Sequence, residues 1–261
     1  YLGPIFEEVF ADLVRRGFVR FAYGGEEVGS YLVGHPVVDE IHMTGSERTY
    51  DTIRFGSGAK GAERKQCNEP VNHKRFTAEL GGIGPTIVLP GPWSEADIQF
   101  QAEHITTQKF HNVGFNCVAS QVLVLPASWG RKDQLLDTLR ATIRSIPPRK
   151  AYYPGAKHRQ EEVVRTYPGA ELFDAPGEGV VPRTLVAGLN PGDASNHGFT
   201  EEFFCGALVQ TALPGDTPVK FLREAVRFAN GALRGSLGAN LIVHPATLSD
   251  LGPDFETAIA D

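Results

Sequence analysis

The stretch Phe110-His-Asn-Val-Gly-Phe-Asn-Cys117-Val-Ala-Ser-Gln-Val-Leu-Val-Leu125 decides how the rest of the chain is read. Its first half is a turn rich in small and polar residues. Its second half is an apolar run of strand length, which reads as a buried strand. Cys117 lies at the junction, where a thiol can be aimed into a cleft. A free thiol has a pKa of about 8.5 and is mostly protonated at neutral pH. A helix N-terminus, or a base acting through water, raises the reactive fraction. Gly114 allows close backbone approach, and backbone N–H groups near Cys117 can face an oxyanion. The competing reading is a small buried hydrophobe, the common state of free cysteine. Cys67 and Cys205 are read that way.

Outward from this run, helix and strand patterns alternate. Towards the N-terminus, apolar residues at 5, 6, 9, 10, 13 and 14 mark a one-faced helix over Ile5 to Arg16, with Gly17 as its stop. A strand is predicted over Phe18 to Ala22, a helix over Glu26 to Val33, a strand over Val37 to Met43 and a helix over Ser46 to Phe55. Residues 56–75 are Gly-rich, then basic (Lys60, Arg64, Lys65, Lys74, Arg75), and read as a solvated loop, with phosphate binding as the minority reading. A strand follows at Thr86 to Leu89 and a helix at Glu95 to Phe110. Beyond the cysteine, Leu135, Leu136, Leu139 and Ile143 mark a helix that stops before Pro147-Pro148. Residues 147–182 show no period. Strands are predicted at Thr184 to Ala187, Ala207 to Ala212 and Ala239 to Val243, with a helix at 217–229. Such alternation defines βα units on a mostly parallel sheet. A boundary is drawn where Gly81-Gly82 closes one unit, giving domains 1–82 and 83–261.

Composition narrows the function. A 261-residue chain with 41% hydrophobic residues can bury one large or two modest cores. The net charge of −6 gives no domain-wide basic field, which argues against a nucleic-acid partner. No apolar run reaches bilayer-spanning length, and the first residues lack a signal-peptide pattern. Three cysteines form no disulfide framework and point to a reducing, cytoplasmic compartment. A single methionine, and a helix pattern cut short at Asp261, lead us to expect part of a longer protein.

Three more segments could carry chemistry. Glu79, in Phe76-Thr-Ala-Glu-Leu-Gly-Gly82, ends an apolar strand and suits a general base facing a cleft; a solvated strand-end glutamate is the plain alternative. Met43-Thr-Gly-Ser46 is a strand-to-helix junction whose small residues would let a helix N-terminus approach a phosphate. Thr200-Glu-Glu-Phe-Phe-Cys-Gly206 sets two acids before two aromatics, an edge that could hold a sugar hydroxyl and a ring. The eight histidines show no metal-ligand spacing, and no metal is expected.

The order of these pieces resembles the aldehyde dehydrogenase superfamily. Met43-Thr-Gly-Ser46 is similar to the family's Phe-Thr-Gly-Ser turn, and Ala78-Glu-Leu-Gly-Gly82 to its Leu-Glu-Leu-Gly-Gly. Phe110, Asn112, Gly114 and Cys117 follow its Asn-x-Gly-Gln-x-Cys segment. Glu201-Glu-Phe-Phe204 is similar to Glu-Glu-Ile-Phe, and Ala229-Asn230 with Gly235 to Val243 to the stretch that follows. The likeness runs from about residue 5 to the end. The chain departs from the pattern at Phe115 (glutamine in the family), Tyr50 (glycine), Ile83 (lysine) and Cys205-Gly206 (Gly-Pro), and so reads as a divergent member.

The resemblance implies an αβα fold: the last part of a Rossmann-like cofactor domain, then an α/β catalytic domain. It implies oxidation of an aldehyde to a carboxylic acid with NAD or NADP. Cys117 would attack the aldehyde, and Glu79 would activate the water that hydrolyses the thioester. Thr44, Gly45 and Ser46, with Leu80 and Gly81, would line the cofactor; Glu202 would hold the nicotinamide ribose and Phe204 would pack near the ring. The substrate would be a small aldehyde, no nucleic acid or membrane would be bound, and the full-length protein would form a homo-oligomer. The alternatives are an inert binding or structural protein on the same fold, and an aldehyde dehydrogenase that passes the acyl group to coenzyme A.

Overall fold

The computed structural model describes residues 2–175, 177–235 and 237–261. They form two compact units that divide between Leu80 and Gly81.

The first unit holds α1 (Gly3–Val9), α2 (Ala11–Arg15), α3 (Glu26–Gly34), β1 (Glu40–Gly45), α4 (Glu47–Phe55), α5 (Gly58–Cys67) and β2 (Arg75–Leu80). The single helix expected over 5–16 is two, separated by Phe10 (φ −100°, ψ 22°), and it ends at Gly17 in the left-handed region (φ 82°). The strand expected over 18–22 does not form. The N–H groups of Phe18 and Val19 turn back to the Leu13 carbonyl at 2.9 and 3.4 Å, so they are not offered to a neighbouring strand. β1 starts three residues later than expected, because Val37 and Val38 are held in a turn by N–H bonds to the His35 ring and carbonyl. β1 and β2 pair in parallel.

Residues 56–75 are not a loop. Gly58 and Gly61 hide a helix, α5, whose glycines lower its propensity. Gly61 has a packing reason: a Cβ there would lie 2.0 Å from the Gly56 carbonyl oxygen. The segment's cations are mostly committed to the fold. Lys65 bonds Glu47 and Asp51, both at 2.7 Å. Those carboxylates, Asp51 first, raise its pKa. Lys74 donates to the Val33 and His35 carbonyls at 2.7 Å, and Arg75 pairs with Glu40 at 2.8 Å. The minority phosphate reading loses its basis. Cys67, expected to be buried, is exposed at the end of α5.

The second unit runs β3 (Gly84–Val88), α6 (Glu95–Phe110), a 3₁₀ turn (His111–Gly114), β4 (Ser120–Pro126), α7 (Lys132–Ser145), α8 (Ala156–Thr166), β5 (Glu171–Leu172), β6 (Thr184–Leu189), α9 (His197–Thr200), β7 (Ala207–Leu213), α10 (Pro218–Ala232), β8 (Asn240–Ile242), α11 (Pro245–Leu251) and α12 (Pro253–Ala260). The sheet order is β5-β6-β7-β4-β3-β8; β5 is antiparallel and the rest are parallel. Every residue of β4 is buried. Val122 and Val124 join one apolar core with Val163, Val209, Phe221 and Ala225. Leu123 and Leu125 join the other with Ile98, Ile105, Leu135 and Leu139. Alternate side chains of a strand face opposite ways, so helices cover both sides of the sheet in three layers, αβα.

Two features matter for the site. α6 begins on a capping box in which Ser94 Oγ accepts from the Asp97 N–H and Asp97 accepts from the Ser94 N–H at 2.8 Å. The region 147–182, read as patternless, contains α8. Its sequence, Ala-Lys-His-Arg-Gln-Glu-Glu-Val-Val-Arg-Thr, buries only Ala156, Gln160 and Val163, which is too narrow a stripe for a sequence period to reveal. Among the described residues no helix is long and apolar enough to cross a membrane.

Candidate active site

Parallel strands put their amino ends on one edge. The segments that enter β3, β4, β7 and β8 therefore share that edge: Gly81 to Ile83, Asn116 to Ala119, Glu202 to Gly206, and Leu237 to Ala239. Gly81, Cys117, Glu202 and Phe204 fall in these segments.

Cys117 is exposed at the corner of a tight turn closed by Ala119 N–H to the Asn116 carbonyl at 3.0 Å. It is not at a helix N-terminus, so the helix-dipole activation considered from sequence is absent. A cleft of about 350 Å³ opens beside it, lined by Gly82, Ile83, Asn230, Leu233 and Asn240 among others. The approach to the turn is strained. Asn112 (φ 54°) and Val113 (φ 58°) lie in the left-handed region, which asparagine tolerates better than most residues but which makes the β-branched Val113 a clear outlier. Gly114 (φ 81°) completes the run, and a Cβ on it would lie 2.5 Å from the Cys205 carbonyl oxygen. The loop before Cys117 therefore packs directly against the segment carrying Glu202. Phe204 (φ 42°) is strained as well; of four such non-glycine residues described, three lie here, as strain at functional sites leads one to expect.

Glu202 is built in more firmly. Its carboxylate lies over the Cα of Gly81, where a Cβ would come within 2.2 Å of Oε1. Gly81 therefore has to be glycine for Glu202 to take this place. Burial pushes the Glu202 carboxyl up from its usual range, while the Gly82 N–H, the Lys109 ammonium and the Arg159 guanidinium act in the opposite sense. Gln121, the second residue of β4, clamps the chain on both sides of Glu202. It donates to the Gly198 and Glu201 carbonyls at 3.1 and 2.7 Å, and accepts from the Phe203 N–H at 2.8 Å. Cys205 is buried, as expected, and burial raises its pKa.

Phe115, at the position where sequence comparison leads one to expect glutamine, is a core residue. It stacks on Tyr153 at 5.4 Å and meets Tyr152 edge-on at 5.5 Å, with Phe204 6.0 Å away. Arg159 lies over Tyr153 and Phe204 and donates to the Phe204 carbonyl at 3.1 Å. Aromatic contact replaces the polar side chain, and Tyr152 keeps polar hold of the loop through Asn112 at 3.0 Å. Sequence reading missed Lys109, Gln121, Arg159 and the two tyrosines. Lys109 had a signal: it falls on the stripe Ile98, Ala102, Ile105, Lys109 of an otherwise apolar helix face.

In the first unit, β1 and β2 bring four of the sequence candidates side by side. Thr44 pairs with Glu79 and Gly45 with Leu80. Ser46 is the N-cap of α4, its hydroxyl accepting from the Thr49 N–H at 3.2 Å. Glu79 is exposed at the end of β2.

The profile of the aldehyde dehydrogenase family matches residues 2–159, more than half of the chain. The chain belongs to this family. It is 27% identical over 180 residues to N-succinylglutamate 5-semialdehyde dehydrogenase of Sphingopyxis alaskensis, a match covering 69% of this chain and 32% of that protein. It is 27% identical over 227 residues to aminoacetaldehyde dehydrogenase of Pseudomonas aeruginosa, covering 81% of this chain and 41% of the relative. The fold is that of NADP-dependent glyceraldehyde-3-phosphate dehydrogenase from Bacillus halodurans, solved with NADP (TM-score 0.69, 20% identity, 93% of this chain and 47% of that one). The chain thus spans less than half the length of these proteins.

Proposed function

We propose that the full-length protein oxidises an aldehyde to its carboxylic acid with NAD or NADP, and that Cys117 is the nucleophile. One observation carries this reading: a solvent-facing thiol just after a strained loop shares a sheet edge with a desolvated carboxylate fixed over a glycine.

The residues fit such a cofactor. Glu202 is a half-buried acceptor suited to a ribose hydroxyl, and Phe204 supplies an aromatic surface beside it. Ser46 caps α4, whose first N–H groups suit a diphosphate, with Thr44, Gly45 and Leu80 at the paired ends of β1 and β2. The Cys117 thiolate adds to the aldehyde carbon to give a thiohemiacetal, and its own N–H is a donor for the oxyanion. A bound nicotinamide would supply the hydride acceptor for this adduct, whose oxidised form is a thioester on Cys117. Glu79 then takes a proton from water, and the hydroxide displaces the thiolate to release the acid. We expect the enzyme in the cytoplasm, as a homo-oligomer.

The test is a panel of aldehydes with NAD and with NADP on the full-length protein, with and without coenzyme A. Aldehyde-dependent formation of reduced cofactor that vanishes in Cys117→Ala supports the reading. Undiminished turnover in that variant would falsify the nucleophile, and strict dependence on coenzyme A would replace hydrolysis by acyl transfer.

A further inference from the structure

The thiol of Cys117 is exposed, but the residues in front of it are tightly held. Asn112, Val113 and Gly114 all take positive φ, and such strain persists only where the surroundings over-determine it. Two of the holds are steric: Gly114 lies against the Cys205 backbone, and Phe115 is packed among aromatic rings. The third is polar and centres on Asn112. Its amide nitrogen lies 3.1 Å from Asn116 Oδ1 and 3.3 Å from the Phe115 carbonyl, and the Asn116 amide nitrogen meets the His111 ring nitrogen at 3.1 Å. These partners belong to the loop itself and move with it.

Tyr152 ties the loop to another part of the chain. Asn112 donates to the Tyr152 hydroxyl at 3.0 Å, and that hydroxyl donates back to Asn112 Oδ1 at 3.2 Å. Among the described residues it is the one side-chain hydrogen-bond partner of this loop from outside residues 111–116. The tyrosine is itself anchored. The Ala151 N–H donates to the Gly179 carbonyl at 2.8 Å, Lys150 bridges Val180, and the Tyr152 ring meets Phe115 edge-on at 5.5 Å. Tyr152 is 64% exposed, so burial accounts for little of its fixed place. Asparagine enters the left-handed region because its short amide can bond locally, and here that amide is pinned from a second segment.

We propose that Tyr152 is a positioning residue for the nucleophile: its hydroxyl fixes the Asn112 amide, which holds the left-handed run and so sets where the Cys117 thiol and N–H emerge. The idea rests on the reading of Cys117 as the nucleophile. Misplacing a reacting group by about 1 Å can cost on the order of 10²-fold in rate. A tie of this kind therefore matters for turnover even where its contribution to stability is small, as it is for a hydrogen bond in contact with water.

The experiment compares full-length wild type with Tyr152→Phe, Asn112→Gly and the double variant. Phenylalanine keeps a ring against Phe115, and glycine keeps the left-handed backbone accessible. Single-turnover formation of NADH, or of NADPH if NADP is the better cofactor, is expected to fall about 10- to 100-fold in Tyr152→Phe at saturating aldehyde. Cofactor affinity should stay within about 2-fold of wild type, as should the rate at which iodoacetamide alkylates Cys117, followed on the peptide that carries it. Alkylation needs an accessible thiol but no aligned ligand, and the urea midpoint should barely move. The double variant should lose no more than the worse single variant, because both substitutions remove one tie. A merely structural tyrosine would lower the urea midpoint and leave the single-turnover rate alone, and that result overturns the proposal. So do additive losses in the double variant. So does a wild-type rate in Tyr152→Phe beside an inactive Cys117→Ala, which leaves the nucleophile intact. Turnover retained in Cys117→Ala would sink the nucleophile itself, and the inference with it.

Discussion

Cys117 and Glu202 enter neighbouring strands, β4 and β7, from the same edge, yet the protein treats them in opposite ways. Cys117 is exposed on a turn closed by one short backbone bond. Glu202 is wedged over Gly81, and its neighbours are held by Gln121, which donates two hydrogen bonds and accepts a third. The contrast fits the work proposed for each. A nucleophile must be reached, attacked and released, and its bonds change. An acceptor that orients a ligand does nothing but hold still, so the fold can surround it. In this site the less conspicuous motif is the more heavily built.

The largest effect tests the loose side. Cys117→Ala should cost at least about 10⁴-fold in turnover. Because the side chain is exposed, it should leave stability within about 0.5 kcal/mol of wild type. Denaturant midpoints of the two proteins check the second half, and a large loss of stability would mean the turn is more deeply built in than its exposure suggests.

On the tight side, Gln121→Leu deletes both donors and the acceptor of a buried clamp and strands two carbonyls and an N–H. We expect a stability loss of roughly 3 kcal/mol and weaker cofactor binding, read by urea unfolding and by NADH titration. A variant that loses neither would remove the distinction between the two loops. Gly81→Ala is narrower. Its methyl meets Glu202 Oε1 and must displace that carboxylate. Cofactor affinity should fall on the order of 10- to 100-fold, equivalent to about 1.4–2.8 kcal/mol, while reactivity of the Cys117 thiol towards an alkylating reagent stays unchanged. A matching drop in thiol reactivity would show the two loops move as one.

The same asymmetry governed what the sequence could reveal. The apolar run after Cys117 and the stripe Leu135, Leu136, Leu139, Ile143 became β4 and α7, because burial on a sheet or helix face leaves a period in the chain. That alternation predicted βα units on a mostly parallel sheet, and the family resemblance implied their αβα arrangement. α5 and α8 were missed since glycines and charges diluted their stripes, and the strand at 18–22 was wrongly expected because alternation cannot say whether a partner strand exists. Candidate site residues announced themselves through linear motifs. Their supports did not: Gln121 reads as one polar residue in a strand, and its meaning arises only when β4 is laid beside the segment 198–203. Arg159 and Tyr153 lie in the stretch that seemed patternless.

Lys109 provides the smallest effect and the finest test of the tight loop. Burial lowers its pKa from 10.5 to about 8. In the unfolded chain it stays protonated until about 10.5. Below about pH 8 both states hold the proton, and the folded state bears the full cost of a desolvated ammonium. Between 8 and 10.5 the unfolded state holds more protons, so stability contributed by this group rises with pH, and above 10.5 the cost is gone. Lys109→Met should therefore be more stable than wild type at pH 7, by about 1–2 kcal/mol once imperfect packing is allowed for, and the advantage should shrink between pH 8 and 10. Urea midpoints at pH 7 and pH 10 measure it. A gain that shrinks over this range would show that the cost lies in the buried charge itself. A gain of equal size at both pH values would mean that methionine merely packs better, and that the charge never counted.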